Sequence, residues 1–312
     1  MSFLRKLVTS DQPAKRVYNA VRVQVFDPNR GRVLQVRQRG SFPGTVDLRP
    51  QDIPIVNQGQ EGSCTANGST GLFGFIIKKL FGVTFQGSRN FVYYNERALH
   101  GQTGEDSGAE VSDSVNVLRD QGVCSETEWP YNTGNFTTKP TDKCYTDALQ
   151  QKLLDPMQIR PNIADMKACL AEGFPFVLGF TVYSSFESSA VSNTGIMPMP
   201  KKGEKVLGGH EVMAIGYIDE QGNASFLRQS DAIAYSARKA VSKLSHALRV
   251  VTRMRTFAVT PPNNVIICRN SWGTGWGDKG YFYMPIPFIS NPDYASDFWT
   301  GRKATYQDQA PK

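Results

Sequence analysis

A stripe of glycines narrows the fold more than any other feature of this chain. In "CTANGSTGLFGFIIKKL", Cys64 to Leu80, Gly68, Gly71 and Gly74 recur every three residues inside an otherwise apolar run. The spacing predicts a helix from Cys64 to about Ile77 with one face lined by glycine. Each glycine weakens a helix by roughly 1 kcal/mol against alanine. A helix that keeps three of them is expected to be central, with neighbours packed closely against that face.

Two more helices fit "SRNFVYYNERALHG" and "AEVSDSVNVLRDQG", the second ending with glycine in the C-cap position. Beyond about Pro156 the character changes to short β-rich runs: "FPFVLGFTVY", "HEVMAIGYID", "NNVIICRN" and "KGYFYMPIP". The expected architecture is α+β, with a helical lobe over 41–155, a β-rich lobe over 156–302 and a flexible tail over 303–312. At 312 residues and 40% hydrophobic, the chain can bury a core of that size.

Before the lobes, "VYNAVRVQVFDPNRGRVLQVRQRG" alternates apolar residues with Arg and Gln around the turn signal "DPNRG", which predicts a basic β-hairpin within an extension over 1–40. That extension carries nine Lys/Arg and two Asp. A second segment, 221–262, carries seven Lys/Arg and one Asp. Together they hold +13 against a formal net charge of +7, so the remainder is mildly acidic and the basic balance does not require the chain as a whole to bind nucleic acid.

Within 221–262, Ile233, Ala237, Val241, Leu244, Leu248 and Val251 advance in helical steps among basic residues, with Ser230 as N-cap. An amphipathic, basic inserted helix is expected there. Its apolar face either docks on the rest of the protein or meets an anionic membrane surface or an acidic partner. With Tyr235 as its one aromatic, it is poorly suited to stacking on bases, and no specific nucleic acid is expected. "MSFLRKLVTS" lacks the apolar core of a secretory signal, and no stretch has the apolar length to span a bilayer, so the expected protein is a monomer that is cytoplasmic or exported without a signal peptide.

Five scattered cysteines make no disulfide framework and no zinc motif. Cys124 and Cys144 either bridge or remain two buried thiols. Cys64 stands where the glycine-striped helix begins, and unpaired backbone N–H groups at a helix start can stabilise a thiolate. Taken alone, that position fits a buried structural cysteine better. Of the three histidines, His100 falls at a helix end and His246 in the basic segment, whereas His210 in "LGGHEVMAIGYID" opens a β-run behind two glycines. In "VIICRNSWGTGWGDKGYFYMP", Asn270 ends a strand and precedes Trp272. An asparagine oxygen can accept from an imidazole N–H and fix the ring, and an indole can keep water from that bond.

These residues resemble the papain family of cysteine peptidases. "QGQEGSC", Gln58 to Cys64, is similar to its glutamine-to-cysteine block; "GGHEVMAIGY" to its histidine strand; "RNSWGTGWGDKGY" to its asparagine block; and "GVCSETEWPY" to its glycine, glutamate and "YPY" signature. The likeness covers roughly 42–219 and 264–300. It implies a two-lobed fold, the second lobe β-barrel-like, with a cleft between the lobes. The implied chemistry is peptide hydrolysis by Cys64 and His210, with Asn270 orienting the imidazole and Gln58 donating to the oxyanion. Trp272 would shield the pair, and Gly108 and Gly209 would meet substrate backbone. Peptides or proteins are the implied substrates, with no metal and no cofactor.

An endopeptidase is the first expectation. The alternatives are a ligase or transamidase working through the same thioester, and a non-catalytic binding protein on a peptidase fold. Departures from the family pattern are Thr65 where relatives place tryptophan, and Glu61 and Glu105 where they place a bridged pair of cysteines. The family's long prosegment has no counterpart either, which suggests that residues 1–40 act as a shorter inhibitory segment. Glu211, beside the catalytic histidine, is expected either to charge the cleft or to lie at its polar rim.

Overall fold

A computed structural model describes residues 16–23, 26–36, 41–220 and 260–307. The predicted central helix is present as α1, Cys64–Phe81. It runs one turn beyond the expected end and closes on Gly82, whose left-handed φ of 74° suits glycine. Each glycine of the stripe meets a different neighbour. Gly68 faces the Glu211 carboxyl, Gly71 the Arg269 guanidinium, and Gly74 the Ile53 side chain and Phe85 carbonyl. A methyl group at Gly68 or Gly74 would overlap these atoms, so the stripe is what allows α1 to lie directly on the sheet.

Helices α2 (Arg89–Ala98) and α3 (Val111–Asp120) pack beside α1. Ser88 caps α2 by accepting from the Phe91 N–H, and Gln121 caps α3, with the expected glycine one position later at Gly122. After α4 (Asp142–Ala148) the chain enters the β lobe. Its strands are β1 (Arg32–Val33), β2 (Thr45–Asp47), β4 (Met157–Gln158), β5 (Phe176–Tyr183), β6 (Val206–Ile218), β7 (Val265–Arg269), β8 (Tyr281–Pro285) and β9 (Ala295–Thr300). They form one sheet in the order β1-β4-β9-β5-β6-β7-β8, with β2 paired to β6. The strand β6 is the hub, because it pairs antiparallel with β5, β7 and β2 at once and supports α1 from below.

Three expectations need correcting. The N-terminal hairpin does not form among the described residues. Pro28–Arg30 make a single 3-10 turn capped by Asp27, and β1 pairs parallel with β4 instead of folding back. The tail does not begin at 303. Residues Lys303–Ala304 pair with β3 (Leu153–Leu154), and Tyr306 packs edge-on to Phe85, because the tail's aromatic and backbone groups find partners on the helical lobe. The chain also crosses between the lobes early, since β2, within the expected helical lobe, is an edge of the β lobe. The inserted basic helix expected over 221–262, and with it His246, lies outside the described residues apart from 260–262. Among the described residues, no helix is long and apolar enough to cross a membrane.

Candidate active site

Cys64 is the first residue of α1 and is fully buried. The loop before it is held from three sides. The Gln58 N–H donates to the Ser271 carbonyl at 2.8 Å, the Tyr131 hydroxyl donates to the Gln58 carbonyl at 2.9 Å, and the same hydroxyl lies 2.6 Å from Ser63 Oγ. Ser271 Oγ donates to Gln58 Oε1 at 2.5 Å, and the Glu61 carbonyl, which can only accept, fixes the other terminal atom as the amide nitrogen. Gln58 Nε2 donates one hydrogen to the Glu61 carbonyl at 2.9 Å. An amide nitrogen has two, so one remains.

His210 sits near the start of β6, where the pleat turns its ring toward the cleft. Its Nε2 is 2.9 Å from Asn270 Oδ1. That oxygen also accepts the Ser271 backbone N–H at 2.8 Å, so it is an acceptor and Nε2 must carry the proton. The tautomer is thereby set, and Nδ1, which has no partner among the described residues, is the basic atom. The Trp272 indole stacks on the imidazole with 5.0 Å between centroids and 25° between planes. Among the candidates, His210, Asn270 and Trp272 are in direct contact, and Gln58 is tied to them through Ser271; Cys64 opens α1 six residues after Gln58, with its sulfur against the backbone N–H of Glu211, the neighbour of His210.

Gly108 and Gly209 face each other across the cleft, and the chain's own backbone lies between them. Ala20 N–H donates to the Gly209 carbonyl at 3.1 Å and Val21 N–H to the Ala109 carbonyl at 2.9 Å. Asn19 makes a parallel bridge with Gly209. A side chain at Gly108, Gly208 or Gly209 would overlap residues 18–20, and Gly108 also has a left-handed φ of 70°. Side chains anchor the segment. Arg16 lies 4.0 Å over the Trp272 ring and pairs with Glu187 at 2.7 Å, Tyr18 hydrogen-bonds Glu187 and sets its ring edge-on to His210, and Arg22 donates to Thr181 Oγ1 at 2.7 Å.

Burial under this segment governs the electrostatics. Desolvation pushes the Cys64 thiol up to about 12, against a partial offset from the Glu211 backbone N–H aimed at its sulfur. Desolvation likewise drives His210 down to about 4, against the hydrogen bond it donates to Asn270. In the covered site both groups are neutral.

Sequence reasoning missed the polar floor of the site. Thr65, the departure from the family's tryptophan, donates to Glu96 Oε1 at 2.6 Å, and Glu96 is fully buried. Glu211 neither charges the cleft nor lies at a rim. It is fully buried on the opposite face of β6, where Ser69 donates to it at 3.1 Å. Burial raises both carboxyls well above the ordinary range; Asp113 and Glu61 add to the rise at Glu96, and Glu96 adds to the rise at Glu211. The signal for Glu96 was Thr65 itself, a small hydroxyl where a large ring was expected. Tyr131 had a signal in "EWPY", but its contact with Gln58 joins residues 73 positions apart.

The family model for "Papain family cysteine protease" matches residues 42–287. A peptidase C1-like protein of Acanthamoeba polyphaga mimivirus is 34% identical over 276 residues, covering 84% of this chain and 75% of that one. Cysteine proteinase 2 of Dictyostelium discoideum is 26% identical over 303 residues, covering 92% and 75%. Among solved structures, xylellain, a cysteine protease from Xylella fastidiosa, superposes with a TM-score of 0.72 at 30% identity, covering 94% of this chain and 98% of that one. A procathepsin B from Trypanosoma congolense, at 17% identity and a TM-score of 0.63, shares the fold and covers 92% and 86%.

Proposed function

The chain belongs to the papain family of cysteine proteases, and on that premise we propose that it cleaves internal peptide bonds through a Cys64–His210 thiolate–imidazolium pair. The observation that carries this reading is the His210–Asn270 hydrogen bond under Trp272, which leaves Nδ1 as the free base. Once the cleft is open to water and substrate, the burial that keeps both groups neutral is relieved, and the proton passes from Cys64 Sγ to His210 Nδ1. The thiolate attacks the peptide carbonyl carbon. The second N–H of Gln58 Nε2 and the Cys64 backbone N–H then donate to the oxyanion, each such donor being worth about 2.7–4 kcal/mol. His210 returns the proton to the departing amine, leaving a thioester. Water, deprotonated by His210, hydrolyses it.

Residues 16–23 act as a plug in this reading. They occupy the backbone positions between Gly108 and Gly209 that an extended peptide would take, and they shut the thiol and imidazole away from water. Glu187 latches Arg16 and Tyr18.

A thiol-directed epoxysuccinyl probe tests both parts. Wild type labels at Cys64, and Cys64→Ala does not. Labelling at another cysteine, or undiminished labelling of Cys64→Ala, overturns the assignment. Deleting residues 1–23 is expected to raise the labelling rate and kcat/KM at least tenfold; unchanged kinetics overturn the plug. A longer deletion is a poor test, because it removes buried Leu34 and the pairing of β1 with β4.

A further inference from the structure

Cys124 and Cys144 are far from the reacting groups in sequence, and the mechanism uses neither. Both are buried, and their sulfurs lie within 4.8 Å of each other and of a Glu128 carboxylate oxygen. Cys124 follows α3, and its carbonyl accepts the Ser88 N–H at 2.8 Å at the start of α2. Cys144 is in the first turn of α4, with its sulfur 3.2 Å from Thr141 Oγ1. Between them runs a stretch with no helix or strand of its own. Loops of that length without secondary structure need anchors.

This loop carries Tyr131, which braces the Gln58 carbonyl and Ser63 beside the nucleophile. Arg89 lies 3.7 Å over the Tyr131 ring, Ser88 Oγ donates to the Trp129 carbonyl, and Asn90 Nδ2 donates to the Asn132 carbonyl. All of these hold the middle of the loop. The two cysteines stand at its two ends.

We propose that Cys124 and Cys144 form a reversible disulfide that staples the loop bracing the oxyanion-side residues. The structure holds both as thiols. Each thiolate in turn attacks sulfur. The first attacks an external disulfide, of glutathione or of a thiol oxidoreductase, and displaces one thiolate. The second attacks the resulting mixed disulfide and displaces the other. Two protons and two electrons pass from the cysteines to the external disulfide, which leaves as two thiols. Exchange requires α4 to open locally, or takes place while the chain folds, because both sulfurs are covered.

A metal site is the competing use of the same atoms. Its third ligand is already engaged, since Lys143 Nζ donates to Glu128 Oε1 at 2.9 Å. The remaining thiols are placed otherwise: Cys169 Sγ lies against the Phe174 carbonyl and Thr300 Oγ1, and Cys268 is buried in β7.

The test is read by mass and thermal midpoint, so its outcome is independent of whether the chain hydrolyses peptides. The full chain is equilibrated with glutathione disulfide, alkylated under denaturing conditions and mapped by peptide mass. The expected result is one linked peptide joining Cys124 and Cys144, with a midpoint roughly 5–10 °C above that of the phosphine-reduced protein, a shift absent from Cys144→Ala. The reduced wild type provides the comparison if Cys144→Ala folds poorly. Alkylation of both cysteines after oxidation overturns the proposal. So does stoichiometric zinc in the purified protein that protects both thiols until it is chelated.

Discussion

His210 and Glu211 are neighbours on β6, and both are fully buried, yet burial acts on them in opposite senses. The pleat sends His210 to the cleft, against Asn270 and Trp272, and Glu211 to the far face, against Gly68 and Ser69 of α1. Desolvation disfavours the charged form of each. His210 is therefore driven down to about 4, while Glu211, with Glu96 as a second acid in the same floor, is driven well above its ordinary 4.5. One strand thus carries both the proposed base, neutral while it is covered, and a buried acid, neutral beneath the proposed nucleophile. A charged Glu211 would oppose formation of the Cys64 thiolate.

The sharpest way to break the comparison is to substitute each neighbour. His210→Ala is expected to lower kcat/KM by about four orders of magnitude or more with little change in thermal midpoint, as for other triad members. Glu211→Gln, which keeps size and hydrogen bonding, should stay within a few-fold of wild type. A loss of activity in Glu211→Gln comparable to that in His210→Ala would show that the carboxyl takes part in the reaction.

Next in size is Gly68→Ala, whose methyl would overlap Glu211 Oε1. Overpacking of this kind costs about 1–3 kcal/mol, measurable by denaturant unfolding. The loss should be partly relieved in Gly68→Ala combined with Glu211→Ala, giving a favourable coupling; strict additivity would mean that the two positions do not touch.

A third contrast lies in the pH dependence of stability, where the neighbours have opposite signs. For His210 the folded value is below the unfolded 6.5, so its contribution is intact above 6.5 and is lost as pH falls through about 4. For Glu211 the folded value is raised, so stability is intact below about 4.5 and declines as pH rises toward the raised value, by up to about 1.4 kcal/mol per pH unit. The midpoint of Glu211→Gln should match wild type near pH 4.5 and exceed it increasingly toward pH 8. A constant difference across that range would mean that Glu211 is already ionised in the fold.

Much of the site was legible because its signals are local. A cysteine at a helix start, a histidine opening an apolar strand and an asparagine before a tryptophan each mark their own element, and the glycine stripe of α1 announced close packing before any neighbour was known. What stayed hidden joins residues distant in sequence. Thr65 showed that something had been rebuilt but not that Glu96 filled the space, and nothing in "HEVM" says which side of the sheet the glutamate takes.

The same division holds for the whole chain. Its sequence alone placed α1, α2, α3 and the β-rich second half, and its resemblance to the papain family marked Gln58, Cys64, His210 and Asn270 as candidates, since periodicity, caps and motif spacing are properties of short stretches. Only the tertiary structure decided that residues 16–23 lie between Gly108 and Gly209, that Glu96 and Glu211 share a dry floor, and that Cys124 meets Cys144. Those are outcomes of packing. They depend on which surfaces α1 and β6 bring together, and burial, not residue type, then sets the charge that each group can carry.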